Sequence, residues 1–153
     1  RFHVPPDGPR FRVVQADGVA WARGDPGTLD VLMVDGFEPG GQVPALCTAE
    51  FYADCRAKLR DGGLLVVNYW AEDPATRTYA RRLRTAFDGQ AVFVRAAEGV
   101  NRIGFACAGG GFPPAERTLR TRARALAQDW EPGLRPAVEE LLAALVAKGR
   151  SKG

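Results

Sequence analysis

The sequence predicts an α/β fold, and three observations carry that reading. Two apolar runs, "DVLMVDG" (30–36) and "LLVVNYW" (64–70), are continuous rather than alternating. Such runs suit strands covered on both faces, as in a parallel sheet. Between them, "AEFYADCRAKLR" sets Phe51, Tyr52, Cys55 and Leu59 at three- and four-residue intervals, the spacing of one helix face. A helical crossover between two strands implies parallel pairing with a right-handed connection. The third observation is a further helix and two further strands downstream, which continue the alternation.

The elements follow in order. "RFRVVQADG" (10–18) reads as a short strand that ends in an Asp17-Gly18 turn, and "VAWAR" gives one helical turn. After the strand at 30–36, "EPGGQVPAL" (38–46) is rich in Gly and Pro and reads as a loop long enough to act as a lid. Thr48 is placed to cap the next helix, and "DGG" (61–63) to end it. "DPATRTYARRLRTAF" (73–87) is a helix with Pro74 in its first turn and Tyr79, Leu83 and Phe87 on one side. "QAVFVRA" and "RIGFACA" are strands whose short separation, "AEGVN", allows a hairpin. Two helices close the chain, at about 115–128 and 135–147; the last puts Val138, Leu141, Leu142 and Leu145 on one stripe. The glycines at 109–111 follow a strand, but no GK[ST] completes a phosphate loop, so "GGGFPP" reads as a linker.

A chain of 153 residues with 46% apolar and 25% charged side chains has the size and composition of one domain with a real core. No apolar stretch reaches the ~20 residues of a membrane span, and the first residues lack the zones of a secretory signal. Nothing in the sequence points outside the cytoplasm. Cys47, Cys55 and Cys107 are odd in number, and His3 is the single histidine. That is a poor ligand supply for zinc, so no metal site is expected and the cysteines read as buried thiols. The net charge of +3 comes mostly from arginines in "RRLR" (81–84) and "ERTLRTRARAL" (116–126). No aromatic residues interleave with them as a stacking platform requires, so they read as solvated helix faces and no nucleic acid is expected.

Ligands of open α/β sheets bind beyond the carboxyl ends of the strands. Asp17, Asp35 and the Asn68-Tyr69-Trp70 group all lie at such ends, and Glu38 follows Asp35 by three residues. Together they form a candidate site. Each has a structural alternative: Asp17-Gly18 as a generic turn, Asp35 as a turn cap, Glu38 as a solvated loop acid, Trp70 as core.

From Arg10 to Ala108 the pattern resembles the polyamine aminopropyltransferase (spermidine synthase) family. The residues that carry the resemblance are the Asp-Gly after the first strand, "DGFEP" after the second, and "TAEFY" followed by "LRDGG". The resemblance implies a Rossmann-like fold of the S-adenosylmethionine-dependent methyltransferase type. It also implies transfer of an aminopropyl group from decarboxylated S-adenosylmethionine, as cosubstrate, to putrescine or a similar amine. By resemblance, Asp17 accepts a hydrogen bond from the adenine amino group, with Gly18 and Gly36 leaving room for the nucleotide. Asp35 is then the general base, and Glu38, Asn68, Tyr69 and Trp70 hold the amine. The donor is a sulfonium and the acceptor an ammonium, so neighbouring carboxylates attract both. Two alternatives stay open: transfer of a methyl group to another acceptor, and a non-catalytic scaffold or dimerisation module.

The chain departs from the family's pattern in three places. The glycine-rich nucleotide loop and the acid that ends the next strand are missing, so the sequence opens where the second half of such a fold begins. That implies a fragment or a natural partial copy, with residues 1–108 a partial Rossmann-like catalytic domain and 109–153 its linker and helical extension. Missing strands would leave an apolar sheet edge open, which implies a homodimer or a rearranged sheet. Asn68 stands where the family has Gln, and Glu98, Gly99 and Asn101 replace a Tyr-Pro-Ser-Gly-like segment. Glu38 stands where the family's second acid is Asp.

Overall fold

The computed structural model describes residues 4–27, 29–96, 99–126 and 134–150, with backbone only for 134, 135 and 146–150. His3 and Glu98, and residues 127 and 128 of the expected helix, lie outside the described residues. In chain order the elements are α1 (Gly18–Ala22), β1 (Leu29–Val34), β2 (Phe37–Glu38), β3 (Gly41–Gln42), α2 (Ala49–Lys58), β4 (Leu59–Trp70), α3 (Thr76–Ala86), β5 (Ala91–Arg95), β6 (Asn101–Ala108), α4 (Glu116–Leu126) and α5 (Leu134–Arg150).

A four-stranded sheet of order β1-β4-β6-β5 organises the molecule. The crossover through α2 makes β1 and β4 parallel, with Val34 opposite Val67. β6 runs antiparallel to both β4 and β5, so the sheet is mixed. The short separation after β5 does form the expected hairpin, because only an antiparallel pair can be joined that tightly.

Along β4 burial alternates from Leu64 to Trp70. Leu65, Val67 and Tyr69 face a core that α2 closes with Phe51, Tyr52 and Cys55, and that Leu83 of α3 closes together with Phe87 just past its end. Thr48 Oγ1 accepts the Phe51 N–H at 3.0 Å and starts α2. Arg56 donates to the Ala86 carbonyl at 2.7 Å and ties the two helices together. Cys47, Cys55 and Cys107 are buried free thiols. Burial pushes Cys47 up to about 11 and Cys55 up to about 12, so both stay protonated.

Four expectations need correction. Residues 10–17 form no strand: a Gly8–Phe11 bridge is the whole of the pairing there among the described residues, and Phe11, Val13 and Val14 stay exposed. Their apolar pattern is local, and no described strand lies beside them to take up the backbone bonds. The run in β1 is not covered on both faces, since Val31 is 51% and Met33 74% exposed. α2 stops at Lys58, before the glycines, because Leu59 already pairs with Leu29 in the sheet. The register then shifts between Leu29 and Val31, and the "DGG" segment forms this bulge instead of a helix cap. Finally, 38–46 is not a plain loop: β2 and β3 pair as a two-residue ladder, and Pro44–Cys47 forms a 3-10 turn.

α4 has no buried residue, and its Arg120 bonds Glu116 and Glu139 of α5 at 2.9 and 3.1 Å. α5 turns Val138, Leu141, Leu142 and Leu145 inward, with Leu142 5% exposed. No helix among the described residues is long and apolar enough to cross a membrane.

Candidate functional site

The carboxyl ends of the parallel strands β1 and β4 meet at one rim, as the sheet order requires. Asp35 is the first residue past β1. Asn68 sits on β4, and its Nδ2 donates to Asp35 Oδ1 at 3.0 Å. A carboxylate just past an edge strand is thereby held by a side chain from an interior strand. The Asn68 backbone carbonyl accepts from Gln42 Nε2 at 2.9 Å, and Gln42 Oε1 accepts the Trp70 N–H at 3.2 Å. Gln42 is 3% exposed and so pins the β2–β3 hairpin onto the end of β4. Asn68 Oδ1 is buried with no hydrogen-bond partner. Such an arrangement costs about 1–3 kcal/mol. The opposite amide orientation would set that oxygen against the carboxylate, so the observed one favours holding Asp35 over satisfying Asn68.

Beside Asp35 lies a cavity of about 270 Å³ lined by Gly18, Trp21, Ala22, Leu32, Asp35, Gly36 and Leu46, among others. That is slightly below the ~300–1,000 Å³ typical of small-molecule pockets, and suits one apolar, flat part of a ligand. Leu46 packs close over both glycines: a Cβ on Gly36 would come 2.5 Å from Leu46 Cδ1 and push that side chain aside, whereas one on Gly18 would sit 3.4 Å from Leu46 Cδ2, an ordinary contact. Trp21, on the cavity wall, is held by Lys58 Nζ at 4.7 Å from its ring centroid.

The structure brings Gly18, Asp35 and Gly36 to one cavity and sets Asn68 behind Asp35. Asp17 does not end a strand; it caps α1, with Oδ1 accepting the Ala20 N–H at 2.8 Å, one residue before the cavity wall. Glu38 is exposed on β2, outside the cavity lining, and its charge reaches the Tyr79 hydroxyl. Burial foremost, then Asp73, raises that hydroxyl above its ordinary value. Trp70 is half-buried, with its ring against Gly41, whose φ of +126° is a backbone conformation that residues with a side chain rarely adopt.

Tyr69 is placed elsewhere. It is fully buried on the opposite face of β4, and its hydroxyl lies 2.9 Å from that of Tyr52. Alternation along the strand turns one of two neighbouring aromatics inward, and it turns Tyr69. Burial pushes both hydroxyls far above their ordinary value. Gln42, Leu46 and Trp21 are site residues that pattern reading missed. Gln42 alone carried a signal, as an isolated polar residue in an apolar, Gly/Pro-rich loop.

No family model matches the chain. Individual relatives do. A Chromobacterium violaceum polyamine aminopropyltransferase is 34% identical over 96 residues, which cover 63% of this chain and 37% of the relative. One from Neisseria meningitidis serogroup A is 33% identical over 89 residues, covering 58% and 34%. The match is to the polyamine aminopropyltransferase (spermidine synthase) family. The chain spans about a third of the length of these curated relatives. Among solved structures, a spermidine synthase in complex with the transition-state analogue AdoDATO is 26% identical, with a TM-score of 0.57 over 67% of this chain and 38% of that one. Human methyltransferase-like protein 13 in complex with SAH shares the fold, at a TM-score of 0.68 over 84% of this chain and 65% of that one, with 24% identity. The aminopropyltransferase likeness and the methyltransferase likeness agree on one Rossmann-like α/β architecture.

Proposed function

We propose that this chain carries the reacting part of a spermidine synthase-like site, which transfers an aminopropyl group from decarboxylated S-adenosylmethionine to an amine. The observation that carries the reading is the Asn68–Asp35 bond of 3.0 Å at the mouth of the Gly18–Gly36 cavity. It supports an oriented acid beside a largely apolar slot.

The nucleotide base would occupy that slot, against Trp21 and Leu46. Asp17, with one carboxylate oxygen spent on the Ala20 N–H, would offer its other oxygen to the adenine amino group. Asp35 would take a proton from the acceptor ammonium, which frees the nitrogen lone pair. That nitrogen attacks the propyl carbon next to sulfur. A C–N bond forms, the C–S bond breaks, and its electron pair returns to sulfur, which leaves a neutral thioether. Glu38 and Asp73 would draw cationic reactants to the rim, and Trp70 would wall the acceptor's path.

Calorimetry with 5′-methylthioadenosine tests the nucleotide part, and binding that Gly36→Val abolishes is the expected result. Absence of heat from the unaltered chain, and from a version extended at its amino end, would overturn the reading. We also propose self-association through β1, because its Val31 and Met33 are the exposed apolar residues of an edge strand.

A further inference from the structure

Lys58 is the last residue of α2 and a buried lysine, 9% exposed. A lysine at that depth needs a partner for its charge. The sequence offers one a turn earlier: Asp54 stands four residues before it, the spacing at which a helix pairs an acid with a following lysine. That pair does not form. Asp54 meets Arg23 at 3.5 Å instead, and among the described residues Lys58 has no ion pair. Its Nζ lies 4.7 Å from the centroid of the Trp21 ring.

The segment after α1 leaves space for this contact. A Cβ on Gly24 would come 3.2 Å from Lys58 Nζ, closer than an ordinary contact, and one on Gly27 would strike the Lys58 carbonyl. The Gly27 N–H donates to the Ala57 carbonyl at 3.2 Å. The two glycines thus let the segment close over the end of α2. α2 in turn grips the end of α1 at two points, through Asp54 on Arg23 and Lys58 on Trp21.

Trp21 needs such a grip. It is 42% exposed, and it stands on a helix of five residues, which is too short to be stable alone. Yet it lines the cavity beside Asp35, together with Gly18 and Leu46. Lys58 is not part of that lining. An ammonium withdrawn from water binds an aromatic face more strongly than an exposed one does.

We infer that Lys58 is a positioning residue of the cavity beside Asp35: its ammonium fixes the Trp21 indole, so the shape of the slot depends on a charge outside its lining. The use of that slot for a nucleotide rests on the reading above; the hold on Trp21 does not.

The test compares Lys58→Met, which keeps a long apolar stem and removes the charge, with Lys58→Arg, which keeps a cation. Two readouts are needed. One is the Trp21 indole N–H signal in a nitrogen-15 correlation spectrum, assigned by its loss in Trp21→Phe. The other is calorimetry with 5′-methylthioadenosine. Lys58→Met should move the indole signal and weaken nucleotide binding about three- to tenfold, and Lys58→Arg should restore most of both. An indole signal that Lys58→Met leaves in place would overturn the inference. So would an arginine variant that behaves like the methionine one, or a methionine variant that binds the nucleotide as the parent does. A methionine variant that fails to fold would make Lys58 a structural residue and would also overturn it. Absence of binding by the unaltered chain would count against the nucleotide reading alone, and the indole signal would then decide whether Lys58 sets the wall.

Discussion

The two flanks of β4 differ sharply. On the β6 side, the strand pair lies under α3, and Leu65, Val67, Tyr69, Ala106 and Leu83 are fully buried. On the β1 side, the partner is an edge strand with Val31 and Met33 open to solvent. The candidate site straddles this boundary. Asn68, which holds Asp35, belongs to the closed part, and Asp35, the proposed reacting group, to the open part. A rigid interior can thus aim a carboxylate on a strand that has fewer contacts of its own.

The difference should first show in stability. Leu83→Ala deletes a fully buried side chain that meets Gly104 and the sheet, and should cost about 2–5 kcal/mol in urea unfolding. A cost below about 1 kcal/mol would mean that α3 is not clamped to the sheet as described.

Next in size is the reacting group. Asp35→Asn should lower aminopropyl transfer at least about 100-fold, equivalent to about 2.7 kcal/mol, in protein that turns over. Folding should be unaffected, because Asp35 is exposed. An unchanged rate would remove Asp35 from the mechanism. Asn68→Ala tests the other side of the boundary: it deletes the orienting donor and also the orphaned Oδ1. A fall in turnover with little loss of stability is expected, since relief of the buried oxygen offsets the lost bond. Equal, large losses of both would make Asn68 a structural residue only.

How much of this could be read from the chain follows the same boundary. α2 was legible because its cap is local: Thr48 and the Phe51 N–H are three residues apart. β1 and β4 were legible as strands from their apolar runs. Their environment was not, because a run such as "VLMV" has no period and so cannot say which face is covered. For the same reason the order "NYW" could not reveal that Tyr69 turns into the core while Asn68 and Trp70 do not. The stretch 10–17 misled because a strand needs a neighbour, and sequence pattern alone does not supply one. Gln42 was illegible as a site residue since its partners, Asn68 and Trp70, are 26 and 28 residues away.

Cap removal is a smaller effect. Thr48→Ala should cost about 1 kcal/mol, because α2 loses one acceptor for its first free N–H groups. Thr48→Ser should restore most of it; if Ser behaves like Ala, the hydroxyl bond is not what starts the helix.

The smallest effect on folding is expected at the open flank, and it is also the sharpest test of that flank. Met33 is 74% exposed, so Met33→Lys removes little buried surface and should change stability by no more than about 0.5 kcal/mol. A lysine on an edge strand, however, opposes pairing with another strand. If the β1 edge is a self-association surface, sedimentation should show the parent chain as an oligomer at micromolar concentration and the lysine variant as a monomer. If both sediment as monomers, β1 is an edge without a partner in its own copy. If the lysine variant instead unfolds, Met33 is buried in the molecule as it exists in solution, and the contrast between the two flanks of β4 fails.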